Sequence, residues 1–150
     1  MSLCGSLVGL FAMLVSVAGF QAANNDHQVR GSYYAKFQGT WKIVSIECAG
    51  KQDNQDIGKY TIRFDGTTMI VRECGGNDAG GDNEEAAVKY DLGERQCSRH
   101  ISFGSIRGIF DFKDDDLLIC YSIRGDRPVE LRTTTDRPKE VLMILKRIGQ

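Results

Sequence analysis

The chain has 150 residues, 41% hydrophobic and 26% charged, with 19 basic residues against 20 acidic ones and a formal net charge of −1. That length gives room for one domain around one core. The near-balance of charge leaves no electrostatic footprint for nucleic acid.

Residues 1–22 carry no charged side chain, and the apolar run from Leu7 to Val17 has the length of a signal-peptide core. A membrane helix needs roughly 20 apolar residues, so this stretch reads as a cleaved export signal and no stable membrane span is expected after its removal. Small residues at Ser16 and Ala18, and again at Ala22 and Ala23, suit processing, although no Lys or Arg precedes the apolar run. The expected location is secreted or periplasmic. Cys4 stands before the apolar run, not in the place of a lipid-anchor cysteine. The remaining cysteines, Cys48, Cys74, Cys97 and Cys120, are an even number in a chain read as leaving the reducing cytosol, so disulfides are permitted. None lies in a CxxC metal knuckle.

Residues 23–36 form a polar lead-in, with Tyr33 and Tyr34 near its end, read as a short helix or an ordered approach to a domain spanning 37–148. Thr40 to Cys48 is a first strand, and the turn-rich Ala49 to Asp56 ends it. Tyr60 to Phe64 and Thr68 to Glu73 flank Asp65-Gly66, a strong hairpin signal, so these three strands are expected to form a meander. Cys74 to Glu85 holds Gly75, Gly76, Gly80 and Gly81 among Asn and Asp, and reads as a loop with little apolar surface to bury. Ala87 to Asp91, Ser98 to Phe103 and Arg107 to Phe112 are three further strands. Asp114-Asp115-Asp116 turns the chain into Leu117 to Ile123, which is apolar on both faces and therefore expected to be covered on both sides. Pro128 sets up a short strand, Val129 to Leu131, and Val141 to Arg147 is the last. About nine short strands at this spacing predict an all-β sandwich or barrel. The two prolines sit in an echo, Asp126-Arg127-Pro128 and Asp136-Arg137-Pro138, read as turn punctuation.

Three pieces together resemble the small lipocalin-like domain present in many copies in planctomycete bacteria, a family of unknown function. They are Gln38-Gly39-Thr40-Trp41-Lys42-Ile43-Val44-Ser45, the run from Arg107-Gly108-Ile109-Phe110 through Leu117-Leu118-Ile119-Cys120-Tyr121 to Arg127-Pro128, and Leu145-Lys146-Arg147. The resemblance spans Phe37 to Arg147. It implies an antiparallel up-and-down lipocalin-like β-barrel of 8–9 strands and no established activity. The glycine-rich segment with its flanking cysteines departs from it. Gly39-x-Trp41 is similar to the lipocalin pattern in which a tryptophan plugs the closed end beneath a basic residue of the last strand, which implies structural closure by Trp41 and Arg147, with Lys146 next in line.

Three full disulfide pairings are open to four cysteines. Strand direction favours Cys48–Cys74: if strands alternate up and down, one ends the first strand and the other the third, at the same end of the barrel, with Cys120 free and buried. Asn77, Asp78, Asp82, Asn83, Glu84 and Glu85 miss the spacing of a calcium loop and read as solvated, as does Asp114–Asp116. His27 and His100 are the only histidines, and no motif pairs His100 with Cys97 or Cys120 as base and nucleophile. No phosphate-binding glycine loop is present. These observations support a non-enzymatic binding module for a small apolar ligand or a protein partner, with no cofactor and no metal. A purely structural or interaction domain with a filled barrel is the alternative, and a hydrolase with an unrecognised site ranks last.

Overall fold

The computed structural model describes residues 30–53, 57–74 and 85–149. The expected export signal, His27 and the acidic and glycine-rich positions 75–84 lie outside them. A helix, α1, covers residues 30–37. Nine strands follow: β1 (Gly39–Cys48), β2 (Lys51–Gln52), β3 (Tyr60–Asp65), β4 (Thr68–Glu73), β5 (Glu85–Arg95), β6 (Ser98–Phe103), β7 (Ile106–Lys113), β8 (Asp116–Ser122) and β9 (Glu140–Gly149). Each strand from β3 to β9 pairs antiparallel with the next, β1 pairs with β3, and β9 returns to β1. Eight strands thus close an up-and-down, lipocalin-like barrel, and β2 is an extra strand folded back on the end of β1.

Two-residue turns set the register. Gly66 (φ 56°) and Gly104 (φ 58°) take the backbone into the left-handed region that a tight hairpin requires. At the β5–β6 turn Gln96 (φ 50°) and Cys97 (φ 63°) do the same without glycine. That turn is why β5 runs to Arg95 and not only to the expected Asp91: Leu92 to Arg95 pair with Ser98 to Ile101, a tertiary ladder that overrides weak local strand propensity.

The expected strand Val129–Leu131 is absent. Residues 123–139 form a strap without ladder pairing that lies on the outside of the sheet. Leu131 packs there on Ile109, Cys120 and Leu142, a small second core. The strap explains the two-sided apolarity of β8, whose Leu117 and Ile119 face the main core while Cys120 lies under the strap. The strap is pinned at two points. Arg127 donates to the carbonyls of Ile101 and Gly108, and Thr133 joins Glu47 and the Gly50 amide (2.9 Å). Gly108 is needed for close strand approach, since a Cβ there would stand 2.7 Å from the Cys120 carbonyl oxygen.

Helix α1 closes the end of the barrel at which β1 begins. Tyr33, Tyr34 and Phe37 share one helical face, and Phe37 is wholly buried among Phe64, Tyr90, Phe110 and Phe112, with ring centroids 4.9–5.9 Å away. β5 extends past the start of β4, and the Tyr34 hydroxyl accepts the Leu92 amide (3.0 Å) on that stretch. Gly39 (φ 113°) turns the chain from the helix into β1.

Trp41 lies directly opposite Arg147 across the β1–β9 seam. The Arg147 guanidinium stands 4.2 Å from the indole centroid, and Trp41 is 1% exposed. Trp41 Nε1 donates to the Phe37 carbonyl (2.8 Å), and Arg147 donates to those of Lys36 and Gln38.

Cys48 and Cys74 are not bridged; all four cysteines of the described residues are free. β3 stands between β1 and β4, which puts their strands about 9–10 Å apart, beyond the roughly 5.5–6 Å that a disulfide spans. Cys74 also lies beside Lys59, level with the start of β3, whereas Cys48 lies at the far end of β1. Two cysteines at one end of a barrel are not thereby neighbours.

In urea unfolding, Trp41→Ala should cost about 3–5 kcal/mol and Arg147→Ala about 1.5–3 kcal/mol, the range for hydrogen bonds to a charged group. The double variant should lose less than the sum, because both residues serve one helix end. Strictly additive losses, or solvent-exposed Trp41 fluorescence in the native state, would contradict this closure.

Candidate functional site

The interior is occupied by its own side chains. Trp41, Phe37, Phe64, Leu92, Ile101, Leu117, Ile119 and Leu145 are each less than 2% exposed, and Tyr121, Ile106 and Met143 pack against them. The clefts that stand out lie on the outer surface or beside α1.

One of about 360 Å³ crosses the outside of β5, β6 and β7. Strand alternation builds it: Asp91, Ser102 and Arg107 sit side by side across three strands, and Gly93 lies beside His100 in the next row. Arg30 of α1, Glu94 and Arg95 of β5, and Arg127 of the strap complete the wall. Arg30 lies over Gly93, its Nη2 3.5 Å from where a Cβ would stand.

The two acidic residues of this cleft are engaged by the helix. Asp91 accepts from the Tyr34 hydroxyl (3.0 Å) and Glu94 from the Tyr33 hydroxyl (3.1 Å). Next door, Arg99 is paired with Asp111 and lies over the Tyr33 ring. Arg95 and Arg107 form no ion pair among the described residues. Arg127 is held with Nη2 3.2 Å from Ser102 Oγ and Nη1 on the β6 and β7 carbonyls. Burial lowers its affinity for a proton, and Arg107 and Arg95 lower it further. Burial first, then Arg127 and Arg95, hold the His100 imidazole below its ordinary range. With four arginines against the two carboxylates Asp91 and Glu94, the cleft carries an excess of positive charge.

A second cleft, of about 470 Å³, lies beneath the strap and is lined by both copies of the sequence echo, Asp126-Arg127 and Asp136-Arg137-Pro138. The echo thus marks two walls of one cleft and is more than turn punctuation. Arg137 bridges Glu130 (3.2 Å) and Glu140 (3.7 Å) there, so its charge is balanced.

Trp41 and Arg147 meet at the closed end, and Cys48 and Cys74 do not meet. Burial pushes the Cys120 thiol up to about 12, with Glu140 and Glu47 adding to the rise against Arg137, so it is a neutral core group at ordinary pH. Cys48 is also raised, by burial and then Asp53 and Glu47. No group of three or more His, Cys, Asp or Glu side chains among the described residues is placed to hold a metal ion. Sequence reasoning missed the arginine cleft because Arg95, Arg107 and Arg127 come from three separated elements. The available signal was period-two alternation on β5 to β7, which puts Asp91, Ser102 and Arg107 on the outer face.

Alkylation at neutral pH, mapped by peptide mass spectrometry, should modify the exposed Cys74 and Cys97 first, Cys48 more slowly, and Cys120 only on unfolding. A peptide joining Cys48 to Cys74 would contradict the fold. His100 gives a pH dependence of known sign. Its folded-state pKa lies below the unfolded value of about 6.5, so the unfolded chain takes up the proton first and stability falls as pH drops below that value. The loss of melting temperature between about pH 7.5 and 5.5 should be smaller in His100→Gln than in the parent; equal losses would show that the ring is not held neutral.

Among the described residues, no helix is long and apolar enough to cross a membrane. The chain matches no protein-family model, no curated protein and no solved structure.

Proposed function

We propose that this is an exported, non-enzymatic interaction domain that meets its partner on the outside of a filled barrel. The observation that carries the reading is the packed interior: Phe37 enters from α1 and fills the axis together with Phe64, Tyr90, Phe110 and Phe112. An eight-stranded barrel is just wide enough to be filled by side chains or to hold one small ligand, and five aromatics from four elements favour the first. Binding capacity then belongs to the outer clefts around the strap. Export rests on the uncharged residues 1–22 and their apolar run. The free cysteines add no support for an oxidising compartment. The likeness to the small lipocalin-like family agrees with the reading and brings no activity with it.

Native mass spectrometry of the full chain purified from its own source tests the filled barrel. The expected result is polypeptide mass with no retained small apolar molecule. Stoichiometric retention of such a molecule, released on unfolding, would replace this reading with a ligand carrier.

A further inference from the structure

We propose that the cleft across β5, β6 and β7 is a binding subsite for a tetrahedral oxyanion, phosphate or sulfate, held by Arg95, Arg107 and Arg127 with Ser102 and His100 beside them. The inference deepens the reading of the barrel exterior as the binding face and rests on it.

Like charges are not gathered at one place without cost. Four guanidiniums, those of Arg30, Arg95, Arg107 and Arg127, line this cleft against two carboxylates, Asp91 and Glu94, which accept from tyrosine hydroxyls of α1, so positive charge is in excess. Arg95 and Arg107 have no carboxylate partner among the described residues. A surface arginine without a partner is ordinary when it stands alone in water. Here the charges are mutually felt, and one of them is fixed. Three hydrogen bonds to Ile101, Gly108 and Ser102 hold the Arg127 guanidinium against the sheet. A guanidinium has five N–H donors, so an incoming anion can meet a donor already oriented.

The arrangement also selects the shape of the anion. A planar carboxylate is satisfied by one bidentate fork. Here Arg95 comes from the end of β5, Arg107 from the start of β7 and Arg127 from the strap, so donors approach from three sides. Three or more oxygens disposed around a centre use such a set better than two in a plane. At Gly93 the absence of a side chain leaves room for the Arg30 guanidinium, which adds a fourth positive group to the cleft.

Amide and arginine side-chain NMR of the isotopically labelled full chain, titrated separately with inorganic phosphate, inorganic sulfate, glucose 6-phosphate and acetate at constant ionic strength, tests the proposal. Phosphate or sulfate should give saturable shifts confined to Gly93, His100, Ser102 and the Arg95, Arg107 and Arg127 side chains, with acetate clearly weaker. Tighter binding of the sugar phosphate than of inorganic phosphate identifies an oxyanion carried on a small organic molecule, and the reverse identifies the free anion. Arg95→Gln and Arg107→Gln, both exposed, should each weaken binding about tenfold, the loss of one charge-assisted contact. Lys89→Gln, on the part of β5 away from the cleft, should leave it unchanged. Diffuse or non-saturating shifts, acetate binding as tightly as phosphate, or affinity untouched by the arginine variants would each overturn the subsite. Such a failure leaves the filled barrel standing, and an apolar molecule retained in the barrel leaves this titration unaffected.

Discussion

Three carbonyls at the end of a short helix decide how this barrel closes. Lys36, Phe37 and Gln38 leave α1 with acceptors that no following turn can satisfy, because Gly39 sends the chain straight into β1. Trp41 takes the middle one and Arg147 takes the outer two. Trp41 belongs to the first barrel strand and Arg147 to the last, so the set forms only when the β1–β9 seam is in register. The positive guanidinium also suits the negative end of the helix, and its stacking on the indole fixes both planes. Helix docking and barrel closure are thus one event.

Phe37 gives that event its hydrophobic content. It occupies the axis and touches rings from β3, β5 and β7 in edge-on or stacked contacts, geometries that add to the area buried. Gln38 completes the junction by accepting the Gly66 amide (2.7 Å) and donating to the Gly66 carbonyl (3.1 Å), which ties the β3–β4 turn to the end of the helix. The bulge between Ile43 and Ser45 bends β1 just beyond Trp41, where a closed sheet must curve.

Much of the sheet was legible. Asp65-Gly66 and Asp114-Asp115 mark hairpins by local chemistry, and the unbroken apolarity of Leu117 to Tyr121 correctly implies cover on both faces. What could not be read is whatever depends on an element's partner. Val129 to Leu131 has strand-like composition and no neighbour to pair with, because its apolar side chain goes to Ile109 and Cys120 from outside. Leu92 to Arg95 has weak strand character and is held by β6 and by Tyr34. Cys48 and Cys74 share a barrel end, but lateral distance around the barrel is set by the strand between them, which strand direction does not encode. The arginine cleft is the extreme case, since its residues span α1 to the strap.

Those two outcomes are connected through Arg127. Were the strap a tenth strand, its backbone would spend its hydrogen bonds on an edge, but β6 and β7 are paired on both sides and offer it none. A segment laid on the outside must find other acceptors, and the ladder carbonyls of Ile101 and Gly108 each have a second lone pair available. Only a side chain with several donors can reach two strands at once, which favours arginine over lysine at this position. The charge that anchors the strap therefore lies on the outer face of β6 and β7, beside the outward-facing Arg107. Closing the barrel and covering it with a strap place positive charge where a partner can reach it.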